Sequence, residues 1–512
     1  MELLKTGIAG LDEILCGGIV PHNSYLIKGI PGSGKTTLGV EVIIQGIKTD
    51  QFGLIVTFEE RPEKLYRDFA NLGWDLRSYE QENRLKVISS SPMAAKEMLA
   101  NPDSILSRYI ADYKVERLLV DSISSFARLE ENPVKLREIV HQFINSLITK
   151  EITPFFIMEA QQFRERKVSF EEYLTDAVIF LSYEQRGDRR RERFIEILKT
   201  RGHRHIEGRH ALKIGNKGLE IYPSCQPSPG GFSVSPLRHE RINSGVSGLD
   251  VLVSGGFPKG SNMLIAGSSG TGKTSIGIQF LAAGAQRGER GILVLLQENP
   301  ANLILEAKSI GIDFQRLESE NCVQIIYLSP IHICPDELMF RLKSVVKKHL
   351  TARLVIDSIS DLLHSIADED YRKDFIFSLT EFLRNQGVTS LMTYDAEQMF
   401  GSFTLAHNKV PGLIDNLIFL RYVEMEGEIT RALSVLKMRG CQHDKGIHEI
   451  VTTARGLAIK KRFEGREGLM TGTAKKSIIE MDEIIDHVSR LDDAKKRFKS
   501  KKNKGFDPNF SS

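Results

Sequence analysis

The sequence predicts an α/β protein built from two copies of one domain, each a mostly parallel sheet with helices on both faces. Three observations carry this prediction. The phosphate-binding pattern G-x-x-x-x-G-K-[ST] occurs twice, within residues 29–37 and 267–275. Other motifs return at a nearly constant spacing, and apolar, strand-like runs alternate with helical ones in both halves. The period is far longer than the roughly 20–50 residues of a solenoid repeat, so a whole domain is duplicated.

Equivalent residues mark the repeat. Lys35 and Lys273 lie 238 positions apart, as do Lys199 and Lys437 in two K-x-R-G segments. The segment D-S-I-S recurs after 236 positions, so the second copy lacks two residues between the loop and this segment. A stretch rich in Pro, Ser and Gly separates the copies. We expect a first domain at residues 1–224, a linker at 225–238, a second domain at 239–472 and a tail at 473–512.

Apolar strands separated by helices indicate a parallel sheet that is buried on both faces. A polar turn at 186–188 indicates a hairpin late in the first copy. The predicted strands of the first copy are 25–28, 54–58, 118–121, 155–158, 178–182 and 194–199, with helices at 36–47 and 62–72. The predicted strands of the second copy are 262–266, 292–296, 354–357 and 390–393.

Composition excludes several classes of protein. The 512 residues exceed one hydrophobic core, and 41% hydrophobic with 26% charged residues is typical of a globular protein. A net charge of +3 argues against a surface that binds nucleic acid throughout. The five cysteines form no C-x-x-C pair, which argues against a zinc ribbon and favours a reducing compartment. With neither a signal-peptide pattern nor a membrane-length apolar run, we expect a cytoplasmic protein.

Each loop has the chemistry of a nucleotide site. Its glycines lack a Cβ, so backbone N–H groups can turn inward towards a phosphate. Its lysine supplies a cation to the β and γ oxygens, and the next hydroxyl is a ligand for Mg²⁺. The expected ATP-binding residues are Gly32, Ser33, Gly34, Lys35, Thr36 and Thr37 in the first copy and Gly270, Thr271, Gly272, Lys273, Thr274 and Ser275 in the second.

Carboxylates follow the predicted strands, where a parallel sheet places its ligands. Asp121 and Asp357 each end an apolar strand in the Walker B pattern, and we expect them to hold Mg²⁺ together with Thr36 and Thr274. The alternative is an Asp that only caps a turn.

A second pair of acids follows another strand. Glu59 and Glu60 can orient or deprotonate the attacking water, and the second copy has Gln297 and Glu298 at these positions. Because an amide cannot accept a proton, the two sites are not equivalent. The alternative is a pair of solvated acids at a strand end.

Each copy ends with two cations on one strand. Lys199 and Arg201, and likewise Lys437 and Arg439, are two residues apart and should face the same side. They suit a polyanion in the same domain or across a subunit boundary, or they are solvated charges. The basic run at 186–193 is more typical of a solvated hairpin or a subunit contact than of a nucleic-acid site.

These motifs together resemble the KaiC family, the circadian-clock ATPase and its relatives, over about residues 4–475. The resemblance rests on G-x-x-G-[LF]-D before each loop, acids after the second strand, D-S at Walker B and K-x-R-G, and is close at 422–432 and 437–445. It implies two RecA-like domains, a double-ring homohexamer and ATP at subunit interfaces. Nucleotide contacts in trans are then implied for Lys199, Arg201, Arg431, Lys437, Met438 and Arg439.

The resemblance also implies slow ATP hydrolysis, chiefly in the first domain through Glu59 and Glu60, with Glu298 as the remaining acid of the second. It implies autokinase activity in the second domain, but Pro411 and Gly412 stand where clock members carry phosphorylated hydroxyls. We therefore expect a KaiC-like ATPase outside the clock, with a protein signalling partner. A RecA-type DNA motor and a protein kinase remain the alternatives. The tail reads as an amphipathic helix followed by a disordered basic end.

Overall fold

The structure is a computed structural model that describes residues 2–101, 103–160, 169–186, 190–225, 240–329, 333–396, 410–425, 427–464, 466–467 and 475–476. The chain divides into two compact units, Met1–Ser224 and Cys225–Ser512. Residues 226–238 of the predicted linker, most of the tail and the predicted hairpin turn at 187–188 lie outside the described residues. In the described part of the chain, every helix is too short or too polar to cross a bilayer.

The first unit holds a nine-stranded sheet in the order β3-β2-β4-β5-β1-β6-β7-β8-β9. The six strands from β3 to β6 in this order are parallel, and β7, β8 and β9 continue the sheet antiparallel. The strands are β1 (Tyr25–Gly29), β2 (Gly53–Thr57), β3 (Leu85–Ser89), β4 (Arg117–Asp121), β5 (Thr153–Glu159), β6 (Ala177–Arg186), β7 (Arg190–Thr200), β8 (Arg209–Gly215) and β9 (Gly218–Tyr222).

Helices cover both faces of this sheet. Successive residues of β4 enter different hydrophobic clusters: Leu119 packs with α2, and Leu118 and Val120 pack with α7. The helices are α1 (Leu11–Ile14), α2 (Lys35–Lys48), α3 (Pro62–Ala70), α4 (Leu76–Gln81), α5 (Pro92–Ala100), α6 (Ile105–Tyr113), α7 (Pro133–Ile148) and α8 (Phe170–Leu174), with a 3₁₀ helix at Ile123–Arg128.

The second unit repeats the sheet in the same order, β14-β13-β15-β16-β12-β17-β18-β19-β20. Its strands are β10 (Arg241–Ile242), β11 (Phe257–Pro258), β12 (Asn262–Gly267), β13 (Gly291–Leu295), β14 (Val323–Tyr327), β15 (Arg353–Asp357), β16 (Thr389–Asp395), β17 (Asn416–Met425), β18 (Glu428–Met438), β19 (Ile447–Thr453), β20 (Gly456–Arg462), β21 (Arg466–Glu467) and β22 (Lys475–Lys476). Its helices are α9 (Leu249–Leu252), α10 (Lys273–Ala285), α11 (Pro300–Ser309), α12 (Phe314–Ser319), α13 (Pro335–His349), α14 (Ile359–His364), α15 (Glu369–Asn385) and α16 (Val410–Leu413).

The predicted fold class is confirmed. The predicted strands correspond to β1, β2 and β4–β7 in the first unit and to β12, β13, β15 and β16 in the second. Strands β3, β8 and β9 of the first unit were not predicted. Strand β3 alternates buried and half-exposed residues at the edge of the parallel part, so it lacks the apolar run that marks the central strands. The two-residue difference between the copies falls between β3 and β4 in the first unit, where α5 and α6 lie, and between β14 and β15 in the second, whose described residues include α13.

The repeated G-x-x-G-L-D motif has a structural role. Gly10 has φ 84°, and a Cβ there would lie 1.9 Å from the carbonyl oxygen of Ile221 on β9. Asp12 Oδ1 accepts hydrogen bonds from the backbone N and the Oγ1 of Thr6, both at 2.8 Å. The motif therefore folds a tight turn directly against the last strand of its own sheet, which only glycine permits.

A buried carboxyl secures the start of the second unit. Asp336 on α13 is 8% exposed. It accepts hydrogen bonds from the Tyr371 hydroxyl and, at 3.2 Å, from the backbone N of Cys225. Both donors favour the charged form, but burial outweighs them and raises the pKa of Asp336 to about 6.

This pKa predicts a pH dependence of stability. An unfolded Asp has a pKa of about 4, so the folded state binds more protons between about pH 4 and pH 6. The free energy of unfolding of the second domain should therefore fall as pH rises through this window, by on the order of 2–3 kcal/mol. Asp336→Asn should lose this dependence, as measured by thermal unfolding of the full chain at a series of pH values. Asp374→Asn, at an exposed position on α15, is the control. Parallel pH profiles for Asp336→Asn and the parent would contradict the assignment.

Candidate functional site

In both units the phosphate loop joins a central strand to the N-terminus of a helix. Strand β1 leads into α2, and β12 leads into α10. Gly34 and Gly272 at the N-cap positions have φ 101° and 102°, and neither helix has a side chain bonded to its first N–H groups. These N–H groups and the helix dipole favour an anion at the loop.

The buried polar groups of the loops fit a phosphate ligand. Ser33 Oγ and Ser268 Oγ are buried without a hydrogen-bond partner among the described residues. Lys35 Nζ donates to the carbonyl oxygen of Ile30 at 3.1 Å, and burial lowers the pKa of Lys35. Lys273 Nζ donates to two loop carbonyls at 2.9 Å each. A desolvated cation and an unsatisfied hydroxyl are groups that the oxygens of a phosphate would satisfy.

A hydroxyl and a carboxylate meet next to each loop. Thr36 Oγ1 donates to Asp121 Oδ2 at 2.9 Å, and Thr274 Oγ1 donates to Asp357 Oδ2 at 2.7 Å. Burial raises the pKa of Asp121 to about 6 and also raises the pKa of Asp357. The structure thus brings each predicted pair of metal ligands together, and their oxygen atoms suit Mg²⁺. Within the described ranges, no three His, Cys, Asp or Glu side chains form a metal cluster.

The two acids after β2 have different surroundings. Ser125 Oγ donates to Glu59 Oε1 at 3.0 Å, whereas the carboxylate of Glu60 forms an ion pair with Lys64 on α3. The Glu60 carboxylate is thus engaged by a charged lysine, whereas Glu59 is held by a neutral hydroxyl.

The second unit holds a pocket of about 500 Å³ at its loop. It is lined by the phosphate loop, by Glu298, Glu306, Asp357, Asp361 and Asp395, and by Arg431 on β18. Asp395 Oδ1 pairs with Lys273 Nζ at 2.8 Å, and Ser275 Oγ donates to Glu306 Oε1 at 2.8 Å. The pKa of Glu298 is raised by burial and then by the charges of Glu306 and Asp357. Glu306, Asp361 and Asp395 were not among the residues predicted from the sequence.

An arginine lies beside the loop of its own domain in both copies. Arg431 lines the pocket of the second unit. Arg193, 238 positions earlier, donates from Nε to the carbonyl oxygen of Gly32 at 3.1 Å and stacks on Tyr183 at 4.3 Å. From the sequence, Arg193 was expected to lie in a solvated hairpin or a subunit contact. The constant spacing from Arg431 was the signal that could have found it.

The K-x-R-G cations lie at the amino ends of the parallel strands, whereas the phosphate loop of the same domain lies at the carboxyl ends. Lys199 pairs with Val178 near the start of β6, whereas Gly29 at the loop pairs with Leu181. Lys199 Nζ donates to the carbonyl oxygen of Glu172 at 2.9 Å. The remaining members of this set occupy the corresponding positions: Arg201 bonds Asp176 at 3.4 Å, Lys437 Nζ donates to Ile414 O at 2.6 Å, and Arg439 lies 3.7 Å from Asp415.

Met438 differs from its neighbours in the same segment. Its side chain is 6% exposed and belongs to the hydrophobic core of the second unit. A contact between Met438 and a nucleotide would therefore use its backbone.

Thr37 and Ser275 are the third residues of α2 and α10. Each directly follows the threonine that donates to the Walker B aspartate.

Comparison with known proteins agrees with this geometry. The family model for the KaiC ATPase matches residues 4–226 and again residues 242–464. The chain belongs to the KaiC family. It is 32% identical over 506 residues to the circadian clock oscillator protein KaiC of Picosynechococcus sp., covering 96% of both chains. It is 33% identical to that of Thermostichus vulcanus, covering 92% of both, and 30% identical to that of Synechococcus elongatus, covering 95% of this chain and 94% of the other.

Family membership explains the duplicated architecture. Each half of the chain is one KaiC-type ATPase domain of the P-loop class, and the two matches follow the internal repeat. ATP and Mg²⁺ are the cofactors that such an ATPase family implies, and the loops and Thr–Asp pairs have the groups that these cofactors need.

The hydroxyl of Thr274 can be tested for its metal role. Thr274→Val keeps the shape of the side chain but removes the oxygen that faces Asp357. In the presence of Mg²⁺, we expect the variant to bind ATP at the second site roughly 10-fold or more weakly than the parent, because the gain in affinity from Mg²⁺ is lost. Thr274→Ser keeps the oxygen and should bind like the parent. Titration with a fluorescent ATP analogue with and without Mg²⁺ measures the effect, and equal affinities for the Val and Ser variants would refute the role.

Proposed function

We propose that this protein is an ATP-hydrolysing ring that binds Mg·ATP in both domains and hydrolyses it slowly, mainly in the first. The nucleotide state would control assembly and binding of a protein signalling partner. The observation that carries the proposal is the Thr–Asp pair beside a buried lysine and an uncapped helix N-terminus, present in both units. This combination binds a metal-bound triphosphate rather than a neutral ligand.

In the first site each residue has a separate task. The helix N-terminus and Lys35 hold the β and γ phosphates, and Thr36 with Asp121 holds the metal ion. Mg²⁺, when bound, withdraws charge from the phosphate oxygens. Glu59, held in place by the Ser125 hydroxyl, accepts a proton from the attacking water. Glu60 supports it with a second negative charge.

The second site is built for slower turnover. Gln297 cannot take a proton, so Glu298 is the remaining acid at this strand end. Lys273 is already paired with Asp395 at 2.8 Å, which reduces the positive charge that it offers to a phosphate. Pro411 and Gly412 have no hydroxyl to accept a phosphoryl group. These features favour ATP retention over a clock-type phosphorylation cycle.

The catalytic assignment predicts an asymmetric result. Glu59→Gln combined with Glu60→Gln should remove most phosphate release, by roughly 100-fold at the first site, because no carboxylate remains to act on water. Glu298→Gln should lower total release far less, since the second site contributes less. Phosphate release at saturating Mg·ATP measures both. If both variants hydrolyse like the parent, the assignment of these acids is wrong.

The placement of the cations supports assembly through the nucleotide. Lys199 pairs with Val178 of β6, and Gly29, which precedes the loop, pairs with Leu181 of the same strand. The two positions are therefore three residues apart along β6, roughly 10 Å at 3.3 Å per residue. They also lie on strands that are separated by β6. They lie at opposite ends of the parallel strands. These cations are therefore far from a nucleotide at the loop of their own domain, which favours ATP at subunit interfaces in a homohexamer. Arg431 instead faces the pocket of its own domain, so we assign it a contact in cis.

This division predicts which variants depend on assembly. In dilute, unassembled protein, Arg431→Ala should weaken ATP binding to the second site, whereas Lys437→Ala and Arg439→Ala should leave it unchanged. In assembled protein all three should weaken it. Mass photometry with and without Mg·ATP defines the two states, and a fluorescent ATP analogue reports affinity. A chain that stays monomeric with Mg·ATP would refute the ring.

The same preparation separates the alternative activities. With γ-labelled ATP we expect the label as free phosphate, and label retained in the protein would favour a kinase. Single-stranded DNA should leave the rate unchanged, and a salt-sensitive stimulation would favour a DNA motor.

A further inference from the structure

The two sites share one hydrogen-bonded pair of positions, but the carboxylate lies on a different member of the pair in each site. In the first unit the Ser125 hydroxyl donates to Glu59 at 3.0 Å. In the second unit Gln297 Nε2 donates to Asp361 Oδ1 at 2.5 Å. Ser125 and Asp361 are equivalent, because each lies four residues after the Walker B aspartate. In the first unit the carboxylate of this pair follows β2, whereas in the second unit it lies on the helix that follows β15. Both units have the hydrogen bond between the two positions.

Asp361 is held on both of its oxygens. Oδ2 accepts a hydrogen bond from Ser358 Oγ at 2.5 Å, and Ser358 Oγ also lies 2.7 Å from Ser360 Oγ. Asp361 lines the second pocket together with Glu298 and Asp357. Its carboxylate is thus fixed at the wall of the site where the γ-phosphate is expected.

This contact determines which way the Gln297 amide faces. An ionised carboxylate only accepts hydrogen bonds, so the NH₂ group of Gln297 must be the end that meets Asp361. The carbonyl Oε1 is then the end of the amide that can accept a hydrogen bond from water. Without Asp361, either end of the amide could turn towards the pocket.

We propose that Asp361 is a positioning residue of the second active site, which orients Gln297 so that its carbonyl oxygen holds the attacking water. Asp361 also supplies a negative charge near the position where the first site has Glu59 and the second has the neutral Gln297. In the step itself, the water oxygen bonds to the γ-phosphorus and its proton passes to Glu298. The bond to the β,γ-bridging oxygen breaks, and its electron pair leaves with ADP. The inference rests on the proposed ATP hydrolysis by this domain.

A simpler role would be stabilisation of a helix. Asp361 lies in the first turn of α14, where a negative charge favours the helix dipole. That role would leave Asp361 independent of Gln297. The two explanations differ in whether the effects of substitutions at both positions are additive.

The test is a two-by-two cycle in a chain whose first site carries Glu59→Gln and Glu60→Gln. Asp361→Ser should lower kcat at the second site about 10-fold with little change in KM. Gln297→Glu alone puts two carboxylates in contact and should lower it as well. The double variant rebuilds the Glu–Ser pair of the first site and should recover at least the parent rate. Asp374→Ser, at an exposed position on α15, is the control for the loss of one carboxylate.

Recovery in the double variant supports the pairing. Additive losses, or an Asp361→Ser variant that works like the parent, overturn it. If the background chain binds ATP but releases no phosphate from the second site, the proposed hydrolysis by this domain fails instead. The same four variants then test the pair by their affinity for a fluorescent ATP analogue. There Gln297→Glu should bind more weakly and the double variant should recover, and additive losses again overturn the pairing.

Discussion

The hydrogen bond between a loop threonine and a strand-ending aspartate is the interaction on which each site depends. Thr36 lies on the first turn of α2, and Asp121 lies at the end of β4. Their contact ties the helix N-terminus to the sheet across β1 and β5, and it recurs between Thr274 and Asp357. Burial makes this carboxylate costly to ionise, so a bound cation is the partner that would stabilise its charged form.

The two sites share this frame but differ in the side chains that follow the second strand of each copy. The first has Glu59 held by a hydroxyl, and the second has Gln297 held by a carboxylate. Acids occur at two further equivalent positions, since Glu306 and Asp395 of the second unit correspond to Asp68 and Glu159 of the first, and Asp395 pairs with the loop lysine. The difference at the Glu59 and Gln297 positions supports the proposal that the two domains turn over ATP at different rates.

The cations also divide into two groups by their place on the sheet. Arg193 and Arg431 lie at the carboxyl edge of the parallel strands, next to the loop of their own domain. Lys199 and Lys437 lie at the amino edge, where they hold backbone carbonyls of their own domain. The two edges are separated by the length of the strands, which supports the proposal that the second group meets a nucleotide bound to another copy of the chain.

The sequence by itself determined the fold class, the duplication, both phosphate loops and the Walker B aspartates, because these depend on local patterns: glycine spacing, apolar runs and a residue at a strand end. It did not reveal the edge strand β3, whose burial alternates, the partly buried strand β8 or the short strand β9. Only the tertiary structure decided which side chains meet. Asp361 reaches Gln297 across 64 positions of sequence, and Arg193 reaches Gly32 across 161. Such contacts depend on how parallel strands are ordered in the sheet, which no local pattern encodes.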